Sequence, residues 1–179
     1  VRMKKLLIVL AVFMLLTACG NKHKEETPLQ NNNVSNNLEA TLYIGTEGNF
    51  KEYTVEIDSL SPENLLKAMS ELTGWNLDLA ADITTGKGGM SVCLSNNSAL
   101  FMGPPDPQKD EFHMFDAETL CHTILDSIKK TLQENFVYEG GDPDSIDIYF
   151  YMEGEKPLTL ENLGMSWSLE EPYSWEAGK

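Results

Sequence analysis

The 179-residue sequence contains a single arginine, Arg2, with three histidines and three cysteines. Nucleic-acid recognition needs cationic side chains, above all guanidinium forks, to neutralise phosphates. With 13 lysines and arginines against 28 acids, the chain carries a net charge of -15. A polyanion of this kind is repelled by phosphates, so no nucleic-acid partner is expected. Anionic membrane surfaces are disfavoured on the same ground. Gly-x-Ser-x-Gly and His-Glu-x-x-His do not occur. Nucleophile, base and oxyanion donors cannot be assembled from the remaining residues. The expectation is therefore a protein that is not an enzyme, with no catalytic residue, no cofactor and no metal.

The longest apolar run, residues 6–16, has 11 residues, well short of the roughly 20 that a membrane-spanning helix needs. It follows Arg2, Lys4 and Lys5 and precedes Leu16-Thr17-Ala18-Cys19-Gly20. A charged start, a short apolar core and small residues before a cysteine make residues 1–18 a signal peptide. The Leu-Thr-Ala-Cys run resembles the lipobox of bacterial lipoproteins, which implies that Cys19 is the lipidation site and the new N-terminus. Two acyl chains anchor stably where one binds only marginally. The expected address is extracytoplasmic, lipid-anchored to the cell membrane. Residues 19–39 are Asn-rich and poor in apolar side chains, as expected of a flexible linker. His23 sits there among solvated charges and is given no role.

Residues 40–179 are expected to form one domain with a C-terminal tail. An apolar run at residues 40–44 and the alternation of Tyr53, Val55 and Ile57 with acids and threonine predict a hairpin around Gly45–Asn49. Ser61-Pro62-Glu63 is a helix start, Leu65, Leu66, Met69 and Leu72 recur at helical spacing, and Gly74 is a stop. Met90, Val92 and Leu94 share a strand face, and Asn96-Asn97 predicts a turn into a second strand at residues 98–102. Residues 103–115 read as a polar loop. Asp116 then caps a helix whose stripe is Leu120, Cys121, Ile124, Leu125, Ile128 and Leu132. Ile146, Ile148, Phe150 and Met152 predict a further strand. The fold class expected is α+β, a mixed or antiparallel sheet with two helices packed on one face.

Several stretches carry a more specific likeness. Leu42-Tyr43-Ile44 opens the domain, a helix spans residues 63–75, and residues 90–95 form a strand. The helix segment 124–132 ends in Thr-Leu and leads to the strand 145–154, which ends in a Glu-Gly turn. Over residues 40–172 this order resembles the GerMN domain of sporulation and spore-germination lipoproteins. The arginine-bearing segment often found after that domain's first strands is missing. The resemblance implies an extracytoplasmic, non-enzymatic module that works by assembly with other proteins.

Other clusters are weaker. Gly86-Lys87-Gly88-Gly89 lacks the hydroxyl of a phosphate loop and precedes a strand. Asp142, Asp144 and Asp147 offer oxygens to Ca²⁺ without the remaining ligands of a calcium loop, and a solvated turn is the better reading. Asp106, Asp110, Glu111, His113 and Asp116 include one histidine, which is poor support for a transition metal. Cys93 and Cys121 could be bonded outside the cytoplasm, but two free thiols are favoured. In the tail, Trp167, Tyr173 and Trp175 are candidate contacts for a partner or ligand. Trp167 alternates with Leu163, Met165 and Leu169 and is expected to cover core.

Two functions compete. The preferred one is a membrane-anchored protein-interaction module of the cell envelope. The alternative is a lipoprotein that binds a glycan or small molecule through the C-terminal aromatics. Residues 40–179 hold 8 lysines against 25 acids, so an envelope protein partner is expected to present a basic surface.

Overall fold

The computed structural model describes residues 38–86 and 88–178. The signal peptide, Cys19, the linker as far as residue 37, Lys87 and Lys179 lie outside the described residues.

Strands β1 (Leu38–Thr46) and β2 (Asn49–Ile57) form an antiparallel hairpin in continuous register from Leu38↔Ile57 to Thr46↔Asn49. Its turn is Glu47-Gly48, both with positive φ, the geometry whose twist matches that of the flanking strands. β1 begins two residues before the expected boundary at residue 40. Ala40, Leu42, Ile44 and Ile57 are buried, and Tyr53 and Val55 are half-buried against the same core.

Helix α1 (Pro62–Thr73) follows. Ser61 Oγ accepts from the Asn64 N–H at 3.1 Å, and Gly74 closes the helix at φ 82, where a side chain would be strained. Leu65, Leu66 and Met69 face inward. Beyond it lie β3 (Thr84–Gly86), β4 (Gly89–Leu94), the short helix α2 (Ala99–Met102) and the long helix α3 (Ala117–Phe136). Asp116 caps α3, its Oδ1 accepting from Thr119 N–H at 2.8 Å. The chain ends with β5 (Asp147–Met152), β6 (Lys156–Leu160) and β7 (Met165–Trp167).

These last five strands make one sheet in the order β3-β4-β5-β6-β7, antiparallel except for the parallel pair β4–β5. A parallel pair needs a long crossover, here the segment containing α2 and α3. The sheet's Met90, Val92, Leu94, Ile148 and Phe150 join Leu65 and Met69 of α1 and Ile124, Leu125, Ile128 and Leu132 of α3 in one core cluster. The fold class is α+β.

The strand expected at residues 98–102 is instead α2. Both sides of β4 are already occupied, by β3 and β5, with Ala80 N–H and Ser95 N–H extending the pairing toward residues 78–80. A hairpin partner has no edge to join. The Ser98 carbonyl accepts from the Phe101 and Met102 N–H groups, winding the segment into a turn that buries Ala99 and Leu100.

Candidate functional site

Helix α3 carries a polar stripe beside its apolar one. Ser127, Thr131 and Asn135, four residues apart, lie along the edge of β1. Tyr43 N–H donates to Thr131 Oγ1 and Gly45 N–H to Ser127 Oγ, each at 3.0 Å, and Asn135 Nδ2 donates to the Thr41 carbonyl at 2.7 Å. The match follows from geometry: four helical residues rise about 6 Å and two strand residues about 6.8 Å. The helix thus satisfies the strand's outer edge with side chains where another strand would use backbone.

One position further round the helix, Asp126 gathers three hydrogen-bond donors and the His122 imidazole. Its Oδ2 accepts from Thr46 Oγ1 at 2.8 Å and Glu47 N–H at 3.2 Å, and His122 Nε2 lies 2.9 Å from it. Its Oδ1 accepts from Tyr173 Oη at 3.0 Å. Trp175 stacks on the His122 imidazole, ring centres 3.9 Å apart and planes within 8°. The carboxylate therefore joins the hairpin turn, α3 and the C-terminal segment.

A histidine–carboxylate pair invites a catalytic reading, and in its nucleophilic form the adjacent side chain must be activated toward its anion. Cys121 is the neighbour, and its thiol is pushed the other way, up to about 12, by burial first and then by Glu118 and Asp126. The Tyr173 phenol is likewise raised, by burial and then by the Asp126 carboxylate. Both hold their protons. Asp126 is a clamp between the hairpin turn and the C-terminal segment.

The tail residues proposed as contacts are placed by this clamp. Trp167 and Tyr173 are only 2% and 3% exposed: Trp167 covers core, as its alternation with Leu163, Met165 and Leu169 led one to expect, and the Tyr173 ring is buried beside it. Trp167 Nε1 donates to the Ser174 carbonyl at 2.8 Å. Gly178 lies so close to the Trp167 indole that a Cβ would sit 2.2 Å from it. Tyr173 packs edge-on to Phe150 at 5.1 Å, and its N–H donates to the Ile148 carbonyl. Trp175 is half-buried over His122.

Cys93 and Cys121 are free and buried. Asp142 accepts from the Asp144 N–H within a short 3-10 turn. Among the described residues no three His, Cys, Asp or Glu side chains are grouped to hold a metal. Glu111 instead pairs with Lys51 and accepts from Tyr53 Oη at 2.9 Å, contacts that hold its carboxyl below the usual range. These three line an open groove of about 400 Å³ beside the hairpin turn, together with Phe112 and Met114.

No local pattern marks Asp126 or Thr46, and His122 stands out in the sequence only as the neighbour of Cys121, from which it points about 100° away on a helix. The one signal was the four-residue spacing of His122 and Asp126, common on any helix. Comparison of the chain with protein-family models, curated proteins and solved structures gives no match in any of the three.

Proposed function

We propose that the protein is a membrane-anchored extracytoplasmic lipoprotein whose single α+β domain serves as a non-enzymatic docking module of the bacterial envelope. The observation that carries the reading is the Leu16-Thr17-Ala18-Cys19 signature followed by a polar linker and a folded domain that begins at Leu38. A tether of this kind holds a domain near the membrane while leaving its faces open to other proteins. The Asp126 carboxylate, bonded to Thr46, Glu47 and Tyr173, joins separate segments of the fold, which fits a module that works through its surfaces. The resemblance to GerMN domains supports the same reading and suggests a role in sporulation or germination. The partner is an envelope protein with a basic surface, given the acid excess of the domain.

Clickable fatty acid fed to cells tests the anchor: label should follow the protein and vanish in Cys19→Ala. A thermal-shift screen against envelope glycans tests the rival ligand-binding reading. Stabilisation by a glycan, lost in Trp175→Ala, would favour that rival and overturn the docking module.

A further inference from the structure

The edges of the two sheets are treated unequally. β1 is covered by the side-chain ladder from α3, and β3 and β7, which end the larger sheet, have three residues each. Short or covered edges are the usual protection against unwanted strand pairing. β2 has neither. It runs for nine residues without proline or bulge, and among the described residues only β1 pairs with it.

The register shows which groups face outward. Thr41, Tyr43 and Gly45 direct their backbone groups to α3, so they are the positions of β1 not bonded to β2. Their opposites are Thr54, Glu52 and Phe50. In an antiparallel ladder the backbone of such residues points away from the partner strand. β2 therefore offers the N–H and C=O groups of Phe50, Glu52 and Thr54 along an open edge.

The side chains on that edge select what can add to it. Glu52, Thr54 and Glu56 are exposed on one face, and Tyr53 and Val55 are half-buried on the other. The Tyr43 phenol, opposite Glu52, is raised by burial first and then by the carboxylates of Glu134 and Glu52, in keeping with a negative potential there. An antiparallel second copy centred on Thr54 would set Glu52 opposite the other copy's Glu56, and like charges directly opposite are destabilising. A strand with basic side chains at those two positions meets two carboxylates instead.

Resting on the docking reading above, we infer that β2 is the docking edge, and that its occupant is an extended segment of a partner protein with the pattern basic–apolar–hydroxyl–apolar–basic. Strand addition of this kind draws affinity from main-chain hydrogen bonds and specificity from alternate side chains. The basic residues face Glu52 and Glu56, the hydroxyl faces Thr54, and the apolar residues extend the surface of Tyr53 and Val55. Binding weakens as salt rises.

The test uses the full chain and the synthetic peptide Ser-Lys-Val-Thr-Val-Lys-Ser, which reads the same in both directions. Amide hydrogen exchange at Phe50, Glu52 and Thr54 should slow about tenfold or more on peptide addition. Glutamate in place of both peptide lysines should remove the effect. Thr54→Pro, which deletes an outward N–H and leaves the β1 ladder intact, should abolish binding. Should that variant fail to fold, Glu52→Lys with Glu56→Lys serves instead and should reverse the preference toward the glutamate peptide. Unchanged exchange at the three amides, or equal binding by Thr54→Pro, would overturn the inference. Capture of an envelope partner equally by wild type and Thr54→Pro would also overturn the edge while leaving the docking reading in place. Slowed β2 amides without any envelope partner would support the edge and count against that reading.

Discussion

Tyr173 Oη donates to Asp126 Oδ1 at 3.0 Å, fastening the C-terminal segment to the middle of α3. The same carboxylate holds the hairpin turn through Thr46 and Glu47. Three parts of the chain distant in sequence thus share one half-buried charge. Hydrogen bonds to a charged group contribute about 1.5–3 kcal/mol each. Tyr173→Phe should therefore destabilise the protein by about 1–3 kcal/mol and Asp126→Asn by at least as much. In urea unfolding of the two single variants and the double variant, the effects should be less than additive. Strict additivity would show that the two side chains do not interact.

The ladder between α3 and β1 predicts a local effect. Thr131→Val keeps the shape of the side chain but removes the acceptor for Tyr43 N–H. Leaving that donor unpaired costs about 1–3 kcal/mol. Exchange at the Tyr43 amide should speed up more than at amides of β5. Equal acceleration throughout would mean that the ladder has no local role.

Much of the fold is legible because its signals are local. Ser61-Pro62 and Asp116 announce helix starts with their own side chains, and both caps form. The alternation of Tyr53, Val55 and Ile57 marks one face of β2 in the same way. Residues 98–102 misled because a short apolar run has no period of its own. Their state is decided by the occupied sides of β4, which no local pattern records. The Asp126 clamp was hidden for a related reason. Thr46, His122 and Tyr173 meet only after the hairpin, α3 and the tail have packed, and each alone resembles an ordinary polar residue.

The core stripe of α3 gives a third expectation. Leu125 and Ile128 are fully buried. Truncation to alanine at either should cost about 2–5 kcal/mol, the transfer term plus a cavity term. Limited proteolysis should spare residues 120–132 until global unfolding. Early cleavage there would show that the helix does not belong to the core.

Alkaline pH supplies a fourth. The Cys121 thiol has an ordinary value of 9.0 and is pushed up to about 12 in the fold by burial. A folded value above the unfolded one stabilises fully below pH 9 and loses that stabilisation as pH rises toward 12. The Tyr173 phenol shifts in the same direction. Stability should fall steeply across this window, and Cys121→Ala should flatten the fall. At pH 8 the thiol should react with maleimide only when the protein unfolds. Rapid labelling of the native protein at Cys121 would contradict its burial.

A tethered domain that docks one envelope protein should be caught in place on its partner. The decisive experiment is photo-cross-linking in intact cells, with a crosslinker placed at Thr54. One adduct of fixed stoichiometry is expected, with an extended, basic partner segment, and it should be lost when Cys19→Ala releases the protein from the membrane. A smear of many weak adducts, or none from the anchored protein, would contradict docking to one partner.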